Sequence, residues 1–116
     1  MIELKPNTYY KISGGDVEVF FKVSKESLQS DMYLQYGTLD CKDAIIKDNT
    51  YPRKDAYSYK QFIYIPDDDL KNKNLEEISY KDYLQEFKVL KSELDYNYEE
   101  LIRRSIKGVL DKGGGK

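Results

Sequence analysis

Between Ser79 and Leu110, apolar side chains return every three or four residues. Tyr80, Tyr83, Leu84, Phe87, Leu90, Leu94, Tyr98, Leu101, Ile102 and Val109 fall on one side at 100° per residue, the pattern of an amphipathic helix. Such a stripe needs an apolar surface to cover it, and the first 65 residues, which alternate like strands, supply one. Ser79 followed by Asp82 reads as a capping box at the start of the stripe. One unbroken helix from Ser79 to Leu110 would be about 48 Å long, whereas a compact chain of this size has a radius of gyration of roughly 13 Å. Lys91 and Asp95 interrupt the apolar side, and Asp95-Tyr96-Asn97 is weak helix-forming material. The pattern therefore predicts two helices, Ser79 to about Glu93 and about Asn97 to Leu110. In the second, Glu99 and Glu100 stand four residues before Arg103 and Arg104, a favourable order for ion pairing along a helix.

The clearest period-two pattern is a hairpin. Thr8, Tyr10 and Ile12 alternate with Tyr9 and Lys11, and beyond Ser13-Gly14-Gly15-Asp16 the residues Val17, Val19, Phe21 and Val23 take one face. With Gly14 and Gly15 as the loop of a type I′ turn, Ile12 falls opposite Val17, Tyr10 opposite Val19 and Thr8 opposite Phe21. Apolar side chains then share one face of both strands, as a single buried face requires.

Lys25 to Ser30 reads as a polar connection with room for one helical turn. A third strand is expected around Met32, Leu34 and Tyr36, with Tyr33 and Gln35 facing the other way and Gly37 ending it. Leu39 to Lys47 carries too short an apolar run to separate strand from helix and is taken as strand. Asp48 to Asp55 is a loop by its turn residues, with Pro52 disfavouring helix at Tyr51. Tyr57, Tyr59, Gln61, Ile63 and Ile65 form one face of a further strand, and Phe62 and Tyr64 lie on the other. Apolar residues on both sides predict a central or doubly covered strand. Pro66 stops it, Asp67-Asp68-Asp69 makes an acidic turn, and Leu70 to Glu77 is a polar link.

Together these elements predict one α+β domain over residues 1–112: an antiparallel sheet of four to six strands, open or curled into a barrel, packed against two C-terminal helices. A flexible Gly-rich tail, 113–116, follows. The 116 residues are enough to bury a core without disulfides or metal.

Composition narrows the chemistry. There is no histidine, which removes the commonest general base, the Ser-His and Cys-His nucleophiles and the usual zinc sites. Cys41 is the single cysteine; it fits a reducing compartment and reads as a small buried side chain. Gly14-Gly15 lacks the spacing of a phosphate loop or a dinucleotide site. Asp67 to Asp69 lacks the alternating frame of a calcium loop. No cofactor, no metal and no catalytic residue is expected, and the chain reads as non-enzymatic. No apolar run is long enough to span a membrane, so a cytoplasmic protein, monomer or homodimer, is the expectation.

Two binding constellations remain. Formal net charge is −2, and 12 residues are tyrosine with no tryptophan. Pro66 to Glu100 carries 11 acidic and 5 basic side chains, whereas Leu101 to Lys116 carries 1 acidic and 5 basic. Tyr33, Tyr57, Tyr59 and Tyr64 with Asp67, Asp68 and Asp69 suit a basic protein partner, because tyrosine favours interface cores and carboxylates complement positive surface. In character this resembles the small acidic proteins, phage anti-defence inhibitors among them, that block a nucleic-acid-binding enzyme. The bias toward Lys, Asp, Asn, Ile and Tyr is similar to AT-rich phage or plasmid coding. The expected function is thus an accessory protein that binds and inhibits a macromolecular partner. The alternative is an RNA or single-stranded nucleic-acid-binding regulator, with rings stacking on bases and Arg53, Lys54, Arg103, Arg104 and Lys107 on phosphates. In size and element order that version is similar to PUA-type RNA-binding domains and plasmid PrgU-like regulators.

Overall fold

A computed structural model describes residues 3–50 and 56–114, with side chains of the last helix described to Asp95 and at Glu99 and Arg103. Five strands, β1 (Thr8–Gly14), β2 (Val17–Val23), β3 (Leu39–Asp48), β4 (Ala56–Ile65) and β5 (Asn74–Ile78), form one antiparallel sheet in the order β4-β3-β2-β1-β5. The sheet is open, with β4 and β5 at its edges, so the barrel alternative does not hold. Three short helices, α1 (Lys25–Gln29), α2 (Asp31–Tyr36) and α3 (Asp67–Asn72), contribute to the core on one face, and α4 (Tyr80–Gly114) crosses the other.

The β1–β2 hairpin forms, two residues out of the predicted register. Tyr10 faces Phe21 and Ile12 faces Val19, because the loop is Gly15-Asp16 rather than Gly14-Gly15. Only Gly15 has a positive φ, +60°, there, the requirement of a type II′ turn with glycine first rather than of type I′. A shift of two preserves the pleat, so the hydrophobic pattern is blind to it.

The segment expected as a third strand is instead helical. Ser30 Oγ accepts from the Tyr33 amide at 3.2 Å and donates to the Ser27 carbonyl at 2.9 Å, so one side chain caps the start of α2 and the end of α1. Gly37 closes α2 at φ 71°, its amide donating to the Tyr33 carbonyl at 2.8 Å. A Cβ there would also meet the Asp67 carboxylate at 2.8 Å. Two further corrections concern Asp67 to Ile78. The three aspartates form the first turn of α3, where the helix dipole favours them, and the polar link contains β5. Glu76 of β5 stands opposite Lys11 of β1, their side chains 3.6 Å apart, a cross-strand pair that suits a polar edge strand.

Beneath the sheet lie Tyr10, Ile12, Phe21, Val23, Leu39, Cys41, Ala44 and Ile65, closed by Leu70 of α3 with Leu28 of α1 and Tyr33 of α2 against them. Tyr10 is fully buried, and its hydroxyl accepts from the Lys5 amide at 2.8 Å. Burial raises the Cys41 thiol pKa above its ordinary value, with the Asp40 charge adding to the shift, so the thiol stays protonated. Above the sheet, Phe20 and Ile45 meet Tyr83 and Leu90 of α4, with Tyr9, Tyr57 and Ile78 around them.

An irregularity in β3 decides which side chains reach the upper layer. Phe20 pairs with Ile45 and Lys22 with Lys42, so Phe21 stands opposite two residues, Asp43 and Ala44. Asp43 adopts φ 53° to accommodate the bulge. Cys41 and Ala44, three apart, consequently both point into the lower core. The phase of β4 changes at the same level: Tyr57 joins the upper cluster, while Ile63 and Ile65 join the lower one. The predicted shared face from Tyr57 to Ile65 is thus split, and β4 is an edge strand rather than a central one.

Asp82 and Ser79 cap α4 as the sequence indicates: the Asp82 amide donates to Ser79 Oγ at 3.0 Å and the Ser79 amide to Asp82 Oδ2 at 3.4 Å. The helix then runs 35 residues without a break, in place of the two expected. At about 52 Å it outreaches the sheet, and the molecule measures 64 × 27 × 25 Å with a radius of gyration of 18.5 Å. Asp95-Tyr96-Asn97 contains neither glycine nor proline, and a few tenths of a kcal/mol per residue do not break a helix. Residues 115 and 116 of the expected tail, and Tyr51 to Asp55 with the Pro52 reading, lie outside the described residues.

Leu90 is 2% exposed between helix and sheet, whereas Leu94, one turn on, is 48% exposed. Leu90→Ala is expected to cost about 2–5 kcal/mol of stability and Leu94→Ala about 0.5 kcal/mol or less, measured by urea denaturation. Equal losses would contradict the docking of α4 through Leu90.

Candidate functional site

Two side-chain rows run along α4. Tyr83 and Leu90 point down into the upper core, while Tyr80, Leu84, Phe87, Lys91 and Leu94 line recesses along one flank of the helix. This second row follows i, i+4, i+7, i+11, i+14 spacing and leaves a trough between the helix and the sheet.

The trough begins as a recess of about 370 Å³. Its floor is one residue from each of four strands: Tyr9 of β1, Lys22 of β2, Asp43 of β3 and Tyr59 of β4. Its wall is Tyr80, Tyr83, Leu84 and Phe87. Tyr9 is the hub of the rings, 5.2 Å from Tyr80 and 4.7 Å from Tyr83 between centroids, and Tyr83 lies 6.4 Å from Phe87. The Tyr9–Tyr80 and Tyr9–Tyr83 planes are tilted by 36° and 39°. Beyond Phe87 a second recess of about 210 Å³ opens between Tyr59, Phe87, Leu90, Lys91 and Leu94. Tyr59 and Phe87 belong to both.

Asp43 holds the first recess together. The Tyr83 hydroxyl donates to the Asp43 backbone carbonyl at 2.7 Å, and the Tyr59 hydroxyl donates to the Asp43 carboxylate Oδ1. A residue held at positive φ persists where its surroundings over-determine it, and here two tyrosines from different elements do so. Burial, followed by the Asp43 charge, raises the Tyr83 pKa above the ordinary tyrosine value. The hydrogen bond to Asp43 raises that of Tyr59, and burial raises that of Tyr9. All three phenols therefore stay neutral at physiological pH. The Lys22 ammonium lies 5.8 Å from the Tyr9 ring centroid, within cation–π range.

The residues singled out from sequence are not brought together. Tyr59 lines both recesses. Tyr57 ties the sheet to the helix, its hydroxyl donating to Glu86 Oε2 at 2.6 Å, with the Lys47 ammonium 5.8 Å from its ring. Tyr64 is exposed near the end of β4. Tyr33, half-buried, packs on the lower core, where burial and then the Asp67 charge raise its pKa. Asp67 pairs with Lys71 at 2.8 Å and Asp69 with Lys73 at 3.6 Å, while Asp68 is exposed. These acids belong to α3, whose Leu70 packs beneath the sheet, whereas Tyr57 and Tyr59 lie above it. Arg53 and Lys54 lie outside the described residues, as do the side chains of Arg104 and Lys107; Arg103 is exposed on α4. Among the described residues, no group of three or more potential metal ligands converges, and no helix is long and apolar enough to cross a membrane.

Sequence reasoning passed over Tyr9, Lys22, Asp43, Tyr80 and Tyr83 as site residues. One local signal for Asp43 exists: Lys42-Asp43 puts two charged residues between Cys41 and Ala44, a break in alternation that marks a bulge.

In comparisons with known proteins, no family model matches the chain, and neither a curated protein nor a solved structure matches it significantly.

Tyr83→Phe removes the donor to the Asp43 carbonyl and is expected to cost about 1 kcal/mol. It also changes the alkaline behaviour. A pKa raised in the folded state contributes stability that is fully present below the unfolded value, 10.0 for tyrosine, and is lost as pH rises through the folded value. Urea denaturation below and above pH 10.0 should show a shallower alkaline loss for Tyr83→Phe than for the parent. Parallel losses would contradict the burial of the Tyr83 hydroxyl.

Proposed function

We propose that this protein is a binding module that acts by occupying a protein partner, and that the trough between α4 and β4 is its contact surface. The observation that carries this reading is the apolar and aromatic lining left uncovered along that trough. Phe87 is 37%, Tyr59 40% and Leu94 48% exposed around the second recess, and Phe62 and Tyr64 lie exposed further along β4. Large apolar side chains gathered in a concavity are where a partner gains most by excluding water, and aromatic residues there are the usual anchors. β4 is an edge strand, so its outer main-chain groups stand next to the same rings. The lining carries two basic residues, Lys22 and Lys91, beside the Asp43 carboxylate, too few for a phosphate backbone to dominate affinity. An apolar protein segment suits it better.

Affinity capture from cells that naturally make the protein tests this with three variants. A partner retained by the parent should also be retained by Tyr36→Ser, which alters an exposed ring of α2 beneath the sheet. It should be lost with Phe87→Glu and with Leu94→Glu, while circular dichroism shows all three folded. Capture indifferent to both glutamates would remove the reading. So would salt-sensitive binding of single-stranded oligonucleotides in place of any protein.

A further inference from the structure

We propose that the first recess is a cation site that takes an alkylammonium group, the tip of a lysine-type side chain carried by the partner, with a methylated head preferred. This rests on the protein-binding reading and adds the chemistry that the partner must present.

Four tyrosines and Phe87 line the recess together with one carboxylate, Asp43. The face of an aromatic ring is the negative pole of its quadrupole and attracts a cation, more strongly where water is excluded. Tyr9 of the floor packs against Tyr80 and Tyr83 of the wall, with centroids 5.2 and 4.7 Å apart and planes tilted by 36° and 39°. Tyr80, Tyr59 and Phe87 are 56%, 40% and 37% exposed around the recess, so three rings from two elements keep surface open to an incoming head. The floor carries one charge of each sign, the Asp43 carboxylate and the Lys22 ammonium, and the carboxylate is the group that favours an incoming cation. Tyr9, Tyr59 and Tyr83, with their raised pKa values, add no further charge. A bare ammonium must exchange three strong bonds to water for acceptors, and Asp43 Oδ1 already receives the Tyr59 hydroxyl. A methylated head asks for no acceptors and gains from each ring it touches.

The protein supplies its own precedent. Lys22 extends its ammonium to 5.8 Å from the centroid of Tyr9, the hub ring. Among the described residues it forms no ion pair with Asp43. The resident cation thus uses a ring face and leaves the carboxylate to an incoming one. Lys22 competes with the ligand by charge, so removing it should strengthen binding, whereas the loss of a merely structural residue would weaken it.

The test follows backbone amide NMR signals of Tyr9, Asp43 and Phe87 during titration of the full chain. The probes are choline, its uncharged isostere 3,3-dimethylbutan-1-ol, and Nα-acetyl-lysine methylamide with and without ε-trimethylation. Saturable shifts at those amides are expected with choline and with the trimethylated lysine, and affinity about tenfold lower for the isostere. Lys22→Met should tighten choline binding. Asp43→Asn and, independently of the bulge, Tyr80→Leu at the exposed rim should weaken it. Choline without the trimethylated lysine would point to a free small cation and overturn the side-chain assignment. An isostere that binds as well as choline, or a Lys22→Met variant that binds more weakly, overturns the cation site. Leu94 lines only the neighbouring recess and separates the two readings. If Leu94→Glu leaves partner capture intact while choline still saturates, the trough reading fails and the cation site stands; capture lost with no response to any cation is the reverse.

Discussion

One residue too many in β3, opposite Phe21, reverses the side-chain phase of the sheet's outer half, and both hydrophobic layers follow from that reversal. Without the extra residue, Cys41 and Ala44 could not both point into the lower core, nor could Tyr57 belong to one layer and Ile63 to the other. At the bulge Asp43 has positive φ, a conformation glycine adopts at no steric cost and aspartate and asparagine adopt more readily than other residues. Tyr83 holds it through the carbonyl and Tyr59 through the carboxylate. The same contacts that fix the sheet therefore form the floor and wall of the recess.

The tyrosines divide their work accordingly. Tyr10 fills the lower core with its hydroxyl satisfied by a backbone amide, and Tyr57 bolts the edge strand to α4 through Glu86. Tyr9, Tyr59, Tyr80 and Tyr83 instead surround a space. A phenylalanine could match the ring area of each, but the hydroxyls of Tyr57, Tyr59 and Tyr83 cross-link elements that dispersion alone would leave free to slide. Asp43 is served by two of them, from β4 and from α4.

Much of the fold is legible in the chain. The hairpin, the strand character of β3 and β4, the Ser79–Asp82 cap and the amphipathic start of α4 can each be read within a window of a dozen residues, because each depends on local period and local hydrogen bonds. The errors have equally local causes. Met32, Leu34 and Tyr36 alternate like a strand, but Ser30 and Gly37 close a helix around them, and the caps outweigh the alternation. The hairpin register moved by two because parity was all that the pattern could specify. Strand β5 went unread because an edge strand has one wet face and an unpaired side, so Asn74 and Glu76-Glu77 cost it little. The unbroken α4 contradicts an argument from compactness, which bounds the average chain and not a helix free to extend past its sheet.

Sequence by itself settled the α+β class, the helix that must lie on the sheet, and the want of histidine chemistry. Those follow from composition and from side-chain period, which the chain carries at every position. Which tyrosines surround the recess was decided only in three dimensions. Asp43 meets partners 16 and 40 residues away, and whether Tyr59 faces them depends on a phase set by β3 and passed to β4 through their pairing. A bulge leaves a faint local trace, two charged residues in a row, but its consequence for a neighbouring strand exists only once the strands are hydrogen-bonded.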